Sequence, residues 1–271
     1  MLIARAISKK SVIYTKIKDA TVSLYQTLLM LKPYHLIAVW SIMVSGIVFR
    51  LGELNRYVYW DWESSLLGFV KIILVTILFH LYVIKQDLWK VSSGKFSLNG
   101  IISFLVICFI LFTIGYLDFS LSFSIYYILG VIPYLLSFMG IALLFQFQLV
   151  YSEIEKRWVV NNWDYRKSIY IQSTICLLIS TISGFMLDEP IISTVCMILL
   201  FFPIVGFIWP AHERHIQRSQ FYSIFTFSMF LCVRVPWFFI PIFILFFVSR
   251  TLNYFHLGII HPSFGVDSID E

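Results

Sequence analysis

The sequence predicts an all-α, polytopic membrane protein, a bundle of about seven to nine transmembrane helices. Three observations carry that prediction. Hydrophobic residues make up 59% of the 271 and charged residues 13%, with a mean hydropathy of +0.86; a soluble domain averages about 45–50% and about 25%. Apolar runs recur at close to the roughly 20 residues that cross a bilayer. Lys and Arg gather in alternate connecting loops, the pattern that sets orientation. The 27 Phe exceed what a water-soluble core employs. No polar stretch is long enough to bury a core of its own, so lipid is the solvent and no separate soluble domain fits.

Residues 1–31 read as a cytoplasmic, basic, amphipathic N-terminal segment and residues 32–271 as the transmembrane bundle. Arg5, Lys9, Lys10, Lys16 and Lys18 stand among Ile13, Ile17, Val22, Leu24 and Leu28. That roughly helical spacing suits a helix lying on an anionic leaflet; a solvated tail that only sets topology is the alternative. No cleavable signal peptide is visible in the first 30 residues, which carry repeated Lys and lack a continuous apolar core before a small-residue site.

Spans follow at 34–51, 65–84, 100–117, 119–151, 168–187, 190–209 and 220–249. Two exceed a single crossing. The stretch 119–151 holds Gly130, Pro133 and Gly140; it is kept whole because splitting it would carry Lys156 and its neighbours outside. The stretch 220–249 holds Arg234, Pro236 and Pro241, and stays open between one kinked helix and two short ones. Loops with Lys85, Lys90 and Lys95, with Lys156, Arg157, Arg166 and Lys167, and with Arg214 and Arg218 alternate with Asp61/Glu63, Asp118 and Asp188/Glu189. This alternation implies an N-terminus inside, in a bacterial plasma membrane. Trp60, Trp62, Trp89, Trp158, Trp163 and Trp209 stand at span ends, as an interfacial belt does.

An ionisable side chain inside a span is a functional candidate, because burying it in hydrocarbon is costly. Lys71 and Arg234 qualify. Lys71 reads more simply as snorkelling toward Asp61 and Glu63. Arg234, in "CVRVPW", either lines a polar cavity that holds a phosphate or marks a turn at the surface. In the loops, Asp87 is a lone carboxylate between lysines, a poor Mg²⁺ site by itself. Glu153 and Glu155, two apart, point to different faces if helical. His212 and His215 flank Glu213 at a spacing that can ligate a metal, though interfacial charge is the plainer reading. Cys108, Cys176, Cys196 and Cys232 fall in apolar runs without metal-ligand or disulfide spacing. There is no P-loop, GxGxxG or GxSxG, no internal repeat, and no basic-aromatic pattern for nucleic acid.

The strings "LLMLKPYHLIAVW" (28–40) and "VSSGKFSLNGIISFLVICFIL" (91–111), separated by one span, resemble the UbiA superfamily of intramembrane prenyltransferases. Lys32-Pro33 stands where that family opens with Arg-Pro, and Ser93-Gly94-Lys95-Phe96-Ser97 where it carries Ser-Gly-(Lys/Arg)-Ile-Ser. The tail "SRTLNYFHLGIIHPSFG" (249–265) is similar to the ending of some members. The resemblance implies transfer of an isoprenoid chain from a prenyl diphosphate, with Mg²⁺ held on the diphosphate by Asp-rich runs. Where those runs belong, this chain has Gln86, Asp87 and Lys90, then Glu153 and Glu155 or Glu213. The resemblance thus nominates Asp87, Lys90, Lys95 and Arg234 for the diphosphate, and Asp87, Glu153, Glu155 and Glu213 for the metal. It assigns no catalytic residue. The alternative is a non-catalytic multi-pass protein on the same scaffold, binding membrane lipid or a membrane-protein partner. A transporter is a third option.

Overall fold

The computed structural model describes residues 2–31, 33–84, 97–118, 126–147, 149–152, 157–160, 167–209 and 213–258. Three short helices come first: α1 (Leu2–Ala6), α2 (Val12–Ala20) and α3 (Val22–Leu31). Ser11 starts α2 by accepting the Tyr14 N–H on its hydroxyl, satisfying one of the orphan donors at a helix start. Next is α4 (Pro33–Leu54), opening on a proline whose missing N–H costs nothing at a first helical position. Then come α5 (Ser65–Leu78), a π-helical extension Phe79–Ile84, α6 (Leu98–Tyr116) and α7 (Tyr126–Leu144). Beyond a two-stranded hairpin lie α8 (Ser168–Met186), α9 (Pro190–Leu199), α10 (Phe201–Ile208), α11 (Glu213–Arg234) and α12 (Phe239–Leu257). The step between α9 and α10 precedes Pro203, which has no N–H to give the Leu199 carbonyl one turn back.

Six helical stretches among the described residues are long and apolar enough to cross a membrane: His35–Leu54, Leu98–Tyr116, Tyr126–Leu144, Ser168–Met186, Pro190–Ile208 and Pro236–Leu257. Ser65–Leu81 is apolar but shorter. The chain is a multi-pass membrane protein of helices. Burial separates centre from rim: 78% of the α4 window and 72% of the α7 window are buried, against 33% for the α6, α8 and α12 stretches. Large apolar side chains left exposed on α5 (Leu66, Val70, Ile73, Ile77) and on α8 (Ile171, Ile175, Leu178, Ile182) face lipid.

α4 and α6 cross with their backbones almost touching. A Cβ added at Gly46 would stand 2.1 Å from the Phe112 carbonyl oxygen, and one at Gly115 would stand 1.7 Å from that of Met43. Small residues at a crossing are how membrane helices gain packing where the hydrophobic effect offers none.

Two ends of the bundle can be told apart. At the near end, which carries the chain's start, Tyr14 donates its hydroxyl to the Tyr254 carbonyl (2.9 Å), and Gln220 Nε2 donates to Leu144 and Phe147 (2.8 and 3.1 Å). At the far end, Trp60 N–H donates to Val233 O and Asp61 N–H to Arg234 O, while Arg56 pairs with Asp188 and Arg50 with Asp118. The acidic loops at Asp61, Asp118 and Asp188/Glu189 therefore share one end.

Two expectations change and one open alternative is resolved. The stretch 119–151 holds one candidate span, as expected, but a shorter one: the described helix covers Tyr126–Leu144, and 149–152 pairs antiparallel with 157–160, Leu149 opposite Val160 and Ser152 opposite Arg157. Val150, Tyr151, Trp158, Val159 and Val160 are the β-branched and aromatic types that fit a pleated surface. The stretch 220–249 resolves into two antiparallel helices. Val235 leaves helical geometry (φ −121°, ψ 80°), as a residue before proline tends to, and a 3₁₀ turn over Pro236–Phe238 starts the return. Lys71 does not snorkel toward Asp61 or Glu63. Its Nζ donates to the Gly115 and Leu117 carbonyls (2.7 and 2.5 Å), the orphan acceptors at the negative end of α6.

Candidate functional site

The near half of the bundle holds a cavity of about 40 Å³. α4 contributes His35, Ala38, Ser41 and Ile42, α6 contributes Phe104, α7 and its end contribute Phe138, Ile141, Ala142 and Phe145, and α11 contributes Ile224 and Phe227. The lining is hydrocarbon and aromatic face. Phe138 and Phe227 meet edge to face at 5.3 Å, and the Ser41 hydroxyl is taken up by Ser228 (2.7 Å). His35, 8% exposed, is the titratable side chain among these lining residues. The space exceeds the about 10–15 Å³ a water needs, yet an apolar lining gives water no partners. It is well below the about 150 Å³ that admits a benzene ring. The lining suits hydrocarbon rather than a charged group, and the space as it stands is smaller than one isoprene unit.

Five nominated residues, Asp87, Lys90, Lys95, Glu153 and Glu155, lie outside the described residues. Glu213 is the first residue of α11, at the near end, on the helix that also supplies Ile224 and Phe227 to the cavity. The hairpin strand 157–160 packs against the same helix. Arg234 closes the opposite end of α11, so the structure separates it from that mouth.

Arg234 is wholly buried, and its donors are committed to the protein. Nη1 donates to the Val48 carbonyl (2.9 Å) and to Glu189 Oε1 (3.2 Å). Nε donates to Val58 O and Nη2 to Arg56 O, both at 3.2 Å. The guanidinium thereby ties the ends of α4 and α11 to the α8–α9 turn. Burial pushes the Glu189 carboxyl above the ordinary carboxylate range, and Arg234 beside it holds the rise back. Beside this lock, Tyr116 donates to Glu53 Oε2 (2.7 Å) and accepts from Arg50 Nη1 (3.2 Å), joining α4 to α6. This far end is a structural brace built on the pairs Arg50–Asp118, Arg56–Asp188 and Arg234–Glu189.

Among the described residues no three His, Cys, Asp or Glu side chains gather as a metal-binding group. The four cysteines are free, and Cys196 accepts or donates a contact with the Ser180 hydroxyl at 3.1 Å. Sequence reasoning missed His35 and the cavity behind it. The one signal was a histidine directly after Lys32-Pro33-Tyr34 at the head of an apolar span. It also missed Glu189 as the partner of Arg234 and Glu53 as the acceptor of the Tyr116 hydroxyl.

Comparison with known proteins adds no relative. No family profile, curated protein or solved structure matches this chain.

Proposed function

We propose that the chain is a divergent UbiA-like membrane prenyltransferase, which moves an isoprenoid chain from a prenyl diphosphate to an acceptor. The observation that supports it is the cavity: aromatic and aliphatic, at the near end, with Glu213 at the head of one of its helices. A tail running along the apolar helices with its tip toward this space would leave its charged head to the segment between α5 and α6, which carries Lys90 and Lys95 in the sequence. In this reading α4, α5, α6, α7, α8, α9 with α10, α11 and α12 make eight crossings. The N-terminus lies on the cytoplasmic side of a bacterial plasma membrane, the side that loop Lys and Arg favour. Mg²⁺ would rest on Asp87, Glu153, Glu155 and Glu213, and would offset charge on the departing diphosphate. Arg234, held by Glu189 at the far end, has no part in it.

A second reading has an observation of its own. Among the described residues the cavity lining is apolar and carries no carboxylate, which favours a non-catalytic subunit that holds a lipid chain beside a membrane-protein partner. One experiment separates the two. Purified protein is titrated with a labelled prenyl diphosphate, with Mg²⁺ and with chelator. The enzyme reading expects Mg²⁺-dependent binding that Asp87→Ala plus Glu153→Ala weakens by about 10–100-fold, and that Ala38→Phe blocks by filling the cavity. Wild-type affinity in the double variant removes the proposed head-group site. Binding of a plain isoprenoid alcohol equal to the diphosphate, with or without metal, supports the lipid-holding subunit instead.

A further inference from the structure

The three N-terminal helices are built for a surface the protein does not itself supply. Arg5, Lys9, Lys10, Lys16 and Lys18 are all exposed, and Asp19 is the only acid among residues 1–31. No residue of α2 is buried. On α2, Val12 (70% exposed) and Ile13 (58%) stand outward with Lys16 between them around the helix, while Tyr14 and Ile17 are half-buried. α3 also leaves Leu24, Leu29 and Met30 more than half exposed.

The place of these side chains decides what meets them. Tyr14 donates to the Tyr254 carbonyl (2.9 Å) and Tyr254 donates to the Ile7 carbonyl (2.5 Å). Thr21 Oγ1 hydrogen-bonds His256 Nε2 at 3.0 Å, and Tyr25 stacks on the His256 ring at 4.2 Å. Lys9 lies over Gly258, at the left-handed residue that ends α12 (φ 72°), where a cation complements the helix dipole. The helices are thus keyed to the end of a membrane-spanning stretch, Pro236–Leu257, which is the depth of the lipid headgroups. Arg250, exposed about two turns earlier on α12, extends the positive charge.

We infer that α1–α3 and the end of α12 form one docking surface for a bilayer leaflet rich in anionic phospholipid, and that seating there steadies the last helix. Apolar side chains enter the acyl boundary while lysines meet phosphate. Each lysine near an anionic surface adds attraction that falls away with salt. The inference is independent of any prenyl chemistry.

Full-length protein is reconstituted in nanodiscs of phosphatidylcholine alone, or with a third of phosphatidylglycerol, and amide exchange is followed by mass spectrometry. Exchange across residues 8–20 is expected to slow by at least about tenfold in the anionic discs, with residues 250–258 slowing alongside. Lys9, Lys10, Lys16 and Lys18 all changed to Gln should abolish the difference, as should high salt; these side chains are exposed, so the bundle still folds. Equal exchange in both lipids overturns the proposal, as does a lipid effect that survives the four substitutions. An effect confined to residues 8–20 overturns the steadying of α12. Protection that follows protein concentration rather than lipid charge assigns the face to a second copy and overturns it too.

Discussion

Arg234 shows what one side chain must bring with it to lie at zero exposure. A guanidinium spreads its donors in a fixed fork, and here they meet three carbonyls and a carboxylate. A Lys ammonium, a point charge on a flexible stem, cannot serve that spread of acceptors. Removing one partner of a buried pair leaves the other charged and uncompensated, at about 3–5 kcal/mol. Arg234→Met should therefore lower the thermal midpoint sharply in detergent, and Arg234→Lys should recover little of it. The pH dependence has a definite sign. Burial already raises Glu189, and without Arg234 its folded-state pKa rises further above the unfolded value. Protonation removes the buried charge, so stability of Arg234→Met is fullest at acid pH and falls as pH rises through the folded-state pKa of Glu189. Melting curves at pH 5 and pH 8 check this: a variant equally destabilised at both would refute the assignment. The sequence marked Arg234 as a candidate from hydropathy alone. Its partner, 45 positions away, was not legible, because nothing local to "DEP" announces which cation will reach it.

At the scale of an element, the crossing of α4 and α6 depends on two glycines. Neither Gly46 nor Gly115 has room for a methyl group, since the facing carbonyl oxygens stand inside any real carbon contact. Gly115→Ala should push the two helices apart and cost about 1–3 kcal/mol, as overpacking does. Gly46→Ala should do the same, and the two together should be less than additive because they relieve one contact. Melting of both single variants and the double variant checks it; additive losses would mean the glycines serve separate contacts. The helices themselves were legible from length and hydropathy. Which face each one buries was not, because an apolar span carries hydrophobic residues all round and its periodicity is weak. The same uniformity hid the hairpin. The apolar run continues past Leu144, yet Phe145–Phe147 turns the chain and Val150 and Tyr151 enter a strand. By contrast, "VRVPW" carried its own break, since Val235 precedes a proline and Arg234 demanded a polar anchor.

For the whole molecule, the path of the chain makes a count that can be checked. If α5 and α11 cross alongside the six apolar stretches, the start and finish of the described chain lie on one side of the membrane. A membrane-impermeant maleimide should label Lys10→Cys and Leu257→Cys from the same side of oriented vesicles. Labelling from opposite sides would require an odd number of crossings. Composition by itself determined that this chain lives in lipid as a set of helices, because hydropathy and the need to satisfy backbone hydrogen bonds within each segment are local sums. The tertiary structure decided the rest: that Arg234 is a brace at the far end, that Lys71 caps α6, that α1–α3 rest on the end of α12, and that a greasy cavity opens behind His35. Each of these joins residues tens to hundreds of positions apart, and only the packing of helices against one another brings such groups within a few ångströms.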